Sequence, residues 1–313
     1  IACARFQAIT FPCDYIRKEA EAIFPPVTRL AHTVRYPLEM PLLPTAEEKM
    51  AARQQLNLPL DRPVIGNAGW LIPRKRFDVF LQTAAKILAR HPDALFVVAG
   101  DGPEREKLEA LAAALGITLS LRWLGWQAEM TPFYRALDVL LFNSEWDALG
   151  LTPLEAISHG VPAVCSVVNG GLGEIIDSDR VGFLLPTHDV DALADRVIHL
   201  LKHRNEAAAL GLAGRAHVEA VCRPGPIVEW HRNALLGNII SQGNGDWKFQ
   251  PPAAPEKNRR RVAVLFHRVG PYHFARIQAA AKVLDTTLIE IFKRDEVYAW
   301  DPIVGADGFK RLT

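Results

Sequence analysis

The feature that most constrains the fold is a regular alternation of short apolar runs and helical patterns, which begins at residue 64. The apolar runs have strand length and no alternating polar face, and they cover 64–69, 94–100, 119–125, 139–144, 162–168 and 182–186. Such runs are typical of strands covered on both faces. Helical spacing of apolar residues occupies 77–91, 104–116, 152–160, 189–204 and 206–221. This order predicts an α/β fold with a doubly wound, Rossmann-like parallel sheet and right-handed crossovers.

Five of the loops between these elements are rich in glycine and polar residues. They follow the first five apolar runs and read "NAGWLIPRKR", "AGDGPE", "LGWQ", "NSEWDALG" and "VVNGGLGE". Because the carboxyl ends of parallel strands meet at one edge of a sheet, we expect these loops to line a ligand-binding crevice. The loops at the opposite strand ends, "ARHPDA", "ALGITL" and "SHGVPA", are predicted to be plain connectors.

The segments on either side of this pattern are predicted to be incomplete α/β segments. Residues 1–60 contain a helical pattern, then a strand and a proline-broken link, and are interpreted as the tail of a preceding domain with its connector. Residues 61–240 form the central domain. The polar, basic stretch 241–258 is predicted to be a linker, and 259–313 to begin a further α/β domain. We therefore expect the chain to be a piece of a longer protein.

Composition gives no reason to expect nucleic acid as a partner, and the cysteine spacing favours the cytoplasm. The chain has 36 basic and 35 acidic side chains, so its near-neutral charge gives no general attraction to nucleic acid. The cysteines are far apart, which predicts reduced thiols in a cytoplasmic protein; they are Cys3, Cys13, Cys165 and Cys222. No apolar run reaches the roughly 18 residues of a membrane span. The expected location is the cytoplasm, with the inner face of the membrane as an alternative.

The stretch "WDALGLTPLEA" at 146–156 carries two acids around the start of a predicted helix. Thr152 and Glu155 fit the N-cap and N3 positions of a capping box, so Glu155 has a purely structural explanation. Asp147 has none. Gly150 would let the backbone approach a ligand, and the free N–H groups of a helix start attract an anion such as a diphosphate. Acids beside an anion site are useful if they bind neutral hydroxyls, and sugar and ribose hydroxyls are the natural candidates.

Two further loops have alternative explanations. Arg74, Lys75 and Arg76 precede a predicted helix, where three cations are unfavourable unless they share an anion. They form either a solvated basic face or a phosphate site, and the second is favoured for at least one of them. Gly170 and Gly171 indicate close backbone approach or a positive φ, and a simple tight turn explains them equally well.

Other ligand-binding motifs are missing from the sequence. It has neither the G-x-G-x-x-G dinucleotide fingerprint nor a P-loop, which disfavours NAD-linked and P-loop chemistry. His199 and His203 have i, i+4 spacing on a helix, but no third ligand accompanies them. No metal site is predicted.

The order of the motifs resembles the C-terminal, donor-binding domain of the family 4 retaining glycosyltransferases. The resemblance covers roughly 55–235 and depends on "GWLIPRKRFDVFLQTAAKI", "FVVAGDGPEREKLEALA", "WLGW", "YRALDVLLFNSEWDALGLTPLEAISHGVPAVCS" and "NGGLGEIIDSDRVGFLLPTHDVDALADRV". It implies the GT-B architecture, in which two Rossmann-like domains face a cleft. Residues 1–60 then resemble the end of the N-terminal domain, and 259–313 the start of another.

The resemblance also implies roles for individual residues. Asp147 and Glu155 match the E-x7-E motif, with Asp147 close to the donor sugar and Glu155 on the ribose hydroxyls. Lys75 matches a lysine that reaches the diphosphate, while Trp70 stands where the family usually has an arginine. Lys75 and Asp147 are the expected catalytic residues. The expected donor-binding residues are Gly69, Lys75, Arg76, Trp126, Asp147, Gly150, Leu151, Thr152 and Glu155.

The activity implied is transfer of a sugar from a UDP-, GDP- or ADP-linked donor, with retention of configuration, to a carbohydrate or lipid-linked acceptor. Polysaccharide or glycoconjugate synthesis is the expected pathway, with no cofactor, no obligatory metal and peripheral membrane association of the full-length protein. This chain by itself is expected to bind donor without turnover, since its acceptor half is incomplete. Trp70 and Asp147 leave a non-catalytic nucleotide-sugar binding fragment as an alternative; a GT-B epimerase or phosphorylase is another.

Overall fold

A computed structural model of the chain describes residues 8–185 and 189–235, together with the backbone of three strands at 261–266, 285–290 and 310–312. The chain divides into two compact units, Ile1–Val228 and Glu229–Thr313. The predicted linker 241–258 lies outside the described residues. The predicted domain boundaries therefore stay predictions.

The strands and helices of the first unit follow the predicted alternation from residue 64 onward. Its strands are β1 (Ile9–Phe11), β2 (Ala31–Thr33), β3 (Val64–Ala68), β4 (Leu95–Ala99), β5 (Leu121–Gly125), β6 (Val139–Asp147), β7 (Ala163–Gly170) and β8 (Phe183–Leu185). Its helices are α1 (Asp14–Ile23), α2 (Ala46–Gln55), α3 (Phe77–Leu88), α4 (Arg105–Ala114), α5 (Thr131–Ala136), α6 (Leu151–Ser158), α7 (Val190–Lys202) and α8 (Arg204–Cys222). Helix α9 (Pro224–Leu235) follows α8 and crosses the division between the units.

Six strands form one sheet in the order β5-β4-β3-β6-β7-β8, and every pair in it is parallel. The predicted doubly wound parallel sheet is therefore confirmed. Both faces are covered, which explains the continuous apolar runs. One hydrophobic cluster lies on the face of the sheet covered by α5 and α6 and includes Phe133, Tyr134 and Leu154. A second lies on the face covered by α3 and α7 and includes Phe80 and Val197.

The strand order places a topological switch point between β3 and β6. From β3 the chain continues to β4 on one side, and β6 pairs with the other side of β3 at Ile65 and Gly66. The crossovers on the two sides of β3 lead away in opposite directions, and sheets of this kind bind ligands in the crevice at the carboxyl ends of the strands on either side of such a point.

The first 60 residues contain one helix that the sequence pattern did not predict. Strands β1 and β2 pair in parallel, and α1 lies between them in the chain, within the predicted helical stretch. Helix α2 begins with a capping box between Thr45 and Glu48. Only Ala52 and Arg53 of α2 are buried, so it has almost no apolar stripe by which it could be predicted.

In the second unit, β9 (Arg261–Phe266), β10 (Asp285–Glu290) and β11 (Lys310–Leu312) form a parallel sheet in the order β11-β10-β9. Cys13, Cys165 and Cys222 are buried free thiols, and Cys3 lies outside the described residues. Within the described ranges, no helix has the length and apolar character needed to cross a membrane.

Candidate functional site

The loops after β3, β4 and β5 are joined to one another by backbone hydrogen bonds at the carboxyl edge of the sheet. The N–H of Gly69 donates to Ala99 O over 2.9 Å, and the N–H of Gly100 donates to Gly125 O over 2.7 Å. A side chain on Gly100 would overlap the carbonyl group of Gly69. Because these positions are glycines, three of the five predicted loops can pack closely against one another and form one wall.

The loop after β3 is also fastened to the end of β6 by its basic residues. The guanidinium of Arg74 donates to Trp146 O over 2.6 Å and lies 5.3 Å from the centre of the Trp146 ring. Arg76, with its backbone in the left-handed region, pairs with Asp78 at 2.8 Å and Glu145 at 3.0 Å. Both arginines are thus held by the protein itself.

Lys75 and Asp147, the two expected catalytic residues, form an ion pair across the crevice. Their side chains are only 17% and 16% exposed, and the ammonium group of Lys75 also lies 5.4 Å from the centre of the Phe142 ring. Asp147 ends β6, and Lys75 ends a short 3₁₀ turn after β3. The switch point therefore brings together two residues that are 72 positions apart.

Helix α6 begins differently from the prediction. Its N-cap is Gly150, in the left-handed conformation with φ 74° and ψ 68°, and Leu151 is its first residue. The predicted capping box is wrong, because Thr152 already lies inside the helix and its hydroxyl donates to Ala68 O over 3.2 Å. By the general rule for helix starts, the first N–H groups of α6 have no acceptor within the helix. Those of Leu151 and Thr152 are therefore positioned to bind an anion.

Glu155 is instead held by Tyr134. The Tyr134 hydroxyl donates to Glu155 Oε2 over 2.5 Å. Burial raises the pKa of Glu155, and the hydrogen bond from Tyr134 opposes this shift. Burial, followed by the charge of Glu155, also raises the pKa of Tyr134 well above its usual value, so its hydroxyl keeps its proton. Sequence reasoning missed Tyr134, because nothing in the spacing of 21 residues relates it to the acid.

The glycines after β7 serve close packing within the protein. A side chain on Gly170 would overlap the backbone of Asp147, and one on Gly171 would overlap Cys13. The Cys13 thiol donates to Ala148 O over 2.9 Å. Close backbone approach therefore explains both glycines, and the groups that approach them belong to other parts of this chain.

The remaining expected donor-binding residues lie around the same rim. Gly69 follows β3 with φ 152°, and Trp70 packs against Gly102 of the next loop. Trp126 lies after β5 and is 70% exposed, and Leu151 is also exposed. Among the residues that the structure describes, no group of three or more His, Cys, Asp or Glu side chains could hold a metal ion.

Comparison with known proteins adds a family assignment to this geometry. The model of the family described as glycosyl transferases group 1 matches residues 48–217, which is more than half of the chain. The structure of the Anabaena protein HepE in complex with UDP-glucose superimposes with a TM-score of 0.66 at 19% identity, over 74% of this chain and 65% of that one. This likeness shows the fold.

Two curated relatives are more similar in sequence. One is the GDP-mannose-dependent alpha-(1-6)-phosphatidylinositol monomannoside mannosyltransferase of Mycolicibacterium smegmatis, 31% identical over 66% of this chain and 56% of the relative. Another is the D-inositol 3-phosphate glycosyltransferase of Saccharomonospora viridis, 34% identical over 55% of this chain and 42% of the relative. The chain spans about half the length of these curated relatives.

Proposed function

Because the chain belongs to the glycosyl transferases group 1 family, we propose that it is the donor-binding part of an enzyme that transfers a sugar from a nucleotide sugar with retention of configuration. Membership of the family confirms the resemblance described for the sequence. The observation that carries the proposal is the convergence of Lys75, Asp147 and Glu155 around the start of α6, at the switch point of the sheet.

The diphosphate, the ribose and the sugar of a nucleoside diphosphate sugar would each have a counterpart in the crevice. The diphosphate would lie at the start of α6, against the N–H groups of Leu151 and Thr152 and the ammonium group of Lys75. Glu155 uses one oxygen for Tyr134, which leaves its second oxygen to accept from the ribose hydroxyls. Asp147 would bind a hydroxyl of the donor sugar. Gly69, Trp126 and Arg76 complete the proposed site.

In catalysis, Lys75 would stabilise the negative charge that develops on the leaving diphosphate. The ion pair with Asp147 means that the diphosphate competes with this carboxylate for Lys75. Positive charge at the leaving group would then come from Lys75 and the start of α6, without an obligatory metal. We propose the cytoplasm, at the inner face of the membrane, as the place of reaction, and a carbohydrate or lipid-linked acceptor.

A second candidate is nucleotide-sugar binding without transfer. Trp70 stands where the resemblance places an arginine, and the guanidinium groups of Arg74 and Arg76 are occupied by contacts with the end of β6. The crevice therefore has one fewer cation for the leaving group than the family pattern implies.

Calorimetric titration with GDP, UDP and ADP in EDTA tests the site. We expect one nucleotide to bind, and Lys75→Ala and Glu155→Ala each to weaken it by about 1.5–3 kcal/mol, as for hydrogen bonds to charged groups, or roughly 10- to 150-fold. Asp147→Asn should strengthen nucleotide binding, because it releases Lys75 and removes a negative charge beside the diphosphate. The name of the Mycolicibacterium smegmatis relative suggests GDP, and HepE was crystallised with a UDP sugar.

The matched controls are Lys86→Ala and Glu106→Ala, on the exposed faces of α3 and α4. Neither should change nucleotide affinity. Equal losses in the control and crevice variants, or binding that Lys75→Ala and Glu155→Ala leave intact, would exclude this crevice as the donor site.

A further inference from the structure

A cavity of about 350 Å³ opens at the opposite edge of the six-stranded sheet. Its wall includes Asp138, which immediately precedes β6, and Pro162, which immediately precedes β7. Asp147 and Gly170 stand at the other ends of these strands, in the crevice. Strands β6 and β7 lie between most of this wall and the proposed donor site, although Tyr134, whose hydroxyl donates to Glu155, also lines the cavity. The loop "SHGVPA", predicted to be a plain connector, forms part of this wall.

The cavity has an excess of positive charge. Asp138 is shared among three cations, because Lys49 and Arg53 lie 2.8 Å and Arg204 lies 3.1 Å from its oxygens. Burial opposes ionisation of Asp138, but Lys49 and Arg53 outweigh it and lower its pKa, so it is charged. Arg135 has Glu48 at 3.4 Å. Four cations thus face two carboxylates, which leaves two positive charges.

Two buried polar atoms of the wall residues have no hydrogen-bond partner. His159 is 8% exposed, and its Nδ1 lies 2.8 Å from the carbonyl oxygen of Glu155, which can only accept. Nδ1 therefore carries the ring proton, and because burial lowers the pKa of His159, its Nε2 is a bare acceptor. This Nε2 and the Nε of Arg135 are both unpartnered. Buried polar atoms are normally satisfied, but both atoms are inaccessible from the cavity as it stands, so a ligand would reach them only if neighbouring side chains moved.

The rest of the wall is apolar, with Leu43, Leu137, Val161 and Leu212 among its residues. We propose that this cavity is a binding site for a small phosphate ester. Its phosphate would pair with Arg135 and Arg204, and its organic part would lie on the apolar wall. Guanidinium groups match the geometry of phosphate oxygens, and a phosphate ester above its second pKa of about 6 carries nearly two negative charges.

Titration of the isotope-labelled chain with phenyl phosphate at pH 7.5, followed by amide NMR, tests the site. We expect saturable shifts at Gly160, Val161 and Ala207, which line the cavity. Arg204→Gln should weaken binding about 10-fold, corresponding to about 1.4 kcal/mol. Leu212→Glu provides a second test, since Leu212 is an exposed wall residue and its replacement brings a negative charge with little effect on folding.

The matched control is Arg90→Gln, because Arg90 is an exposed arginine that is paired with Asp195 and does not line the cavity. It should leave the titration unchanged, and so should Lys75→Ala in the crevice. Loss of all shifts in Lys75→Ala would place the phosphate in the crevice and overturn the proposal. Absence of saturable shifts at Gly160 and Val161 at millimolar phenyl phosphate would overturn it as well.

The phosphate ester could be a free metabolite or the headgroup of a lipid, and a sedimentation experiment separates these sources. Vesicles of phosphatidylcholine with phosphatidic acid should sediment the chain only if the site takes a headgroup. In that case Arg204→Gln and Leu212→Glu should reduce sedimentation, and phenyl phosphate should compete. Binding of phenyl phosphate without sedimentation assigns the site to a soluble ester.

Discussion

Glu155 occupies a position that is unfavourable for a charged carboxylate. It is largely buried beside the Tyr134 ring, and its hydrogen bond from the Tyr134 hydroxyl only partly offsets the loss of hydration. A group whose pKa is raised on folding contributes stability that is fully present below its unfolded pKa, about 4.5 for Glu, and lost as the pH rises through the folded pKa. The acid proposed to bind ribose therefore destabilises the chain at neutral pH.

At the residue scale, we predict that Glu155→Gln raises the thermal midpoint at pH 7 while it weakens nucleotide binding. The amide keeps an acceptor for Tyr134 but has no charge to bury. The difference from wild type should disappear as the pH falls well below 4.5, where the carboxyl group becomes protonated in both states. Melting curves from about pH 3 to pH 8 measure this, with the exposed Glu106→Gln as control. An equal midpoint for wild type and Glu155→Gln across this range would contradict the prediction.

At the element scale, the crevice depends on how closely the loops after β3, β4 and β5 pack. Gly100 has φ 130° and no room for a side chain beside Gly69, whereas Gly116 has φ 71° and no atom near its missing Cβ. We predict that Gly100→Ala lowers the free energy of unfolding by about 2–4 kcal/mol, through strain and overpacking together. Gly116→Ala should lower the free energy of unfolding by only about 1 kcal/mol, the cost of holding a non-glycine residue in the left-handed region.

Urea unfolding of the two alanine variants compares these costs. Because the loop after β3 carries Lys75, Gly100→Ala should also weaken nucleotide binding, and Gly116→Ala should not. Similar losses of stability in both variants would mean that close packing of the loops is not what requires Gly100.

At the scale of the whole molecule, the segment before residue 36 is attached to the crevice by Glu174. Its carboxylate accepts from the N–H groups of Asp14 at 2.9 Å and Tyr15 at 2.7 Å, at the start of α1, and Arg35 lies 3.9 Å away. A residue 160 positions later in the chain thus caps α1. A second contact holds the loop after β6, since the Cys13 thiol donates to Ala148 O.

We predict that Glu174→Ala costs about 1–2 kcal/mol, as for the loss of a helix cap. Hydrogen exchange should show loss of protection at the amides of Asp14 and Tyr15, and proteolysis should become faster within residues 8–35. Asp189→Ala removes a cap local to α7, where the carboxylate accepts from Ala192, and should leave residues 8–35 protected. Unchanged exchange at Asp14 and Tyr15 in Glu174→Ala would contradict the assignment of the cap.

The sequence by itself determined the parallel sheet, the position of the glycine-rich loops and the family. These properties follow from local periodicity, because buried strands are continuously apolar and the strands begin and end within a few residues of the predicted runs. Family membership followed from five motifs in one order, and the comparisons confirm it. The roles of the individual site residues stay predictions.

Only the tertiary structure decided which distant groups meet. Lys75 pairs with Asp147 because β3 and β6 are neighbours in the sheet, and Glu155 accepts from Tyr134 although spacing favoured a local cap at Thr152. The cavity around Asp138 combines residues of four separate segments, and no spacing in the sequence relates them to a common site. Local spacing sets which face of an element is buried, whereas the partner of a buried polar group depends on strand order and packing, which local sequence patterns do not contain.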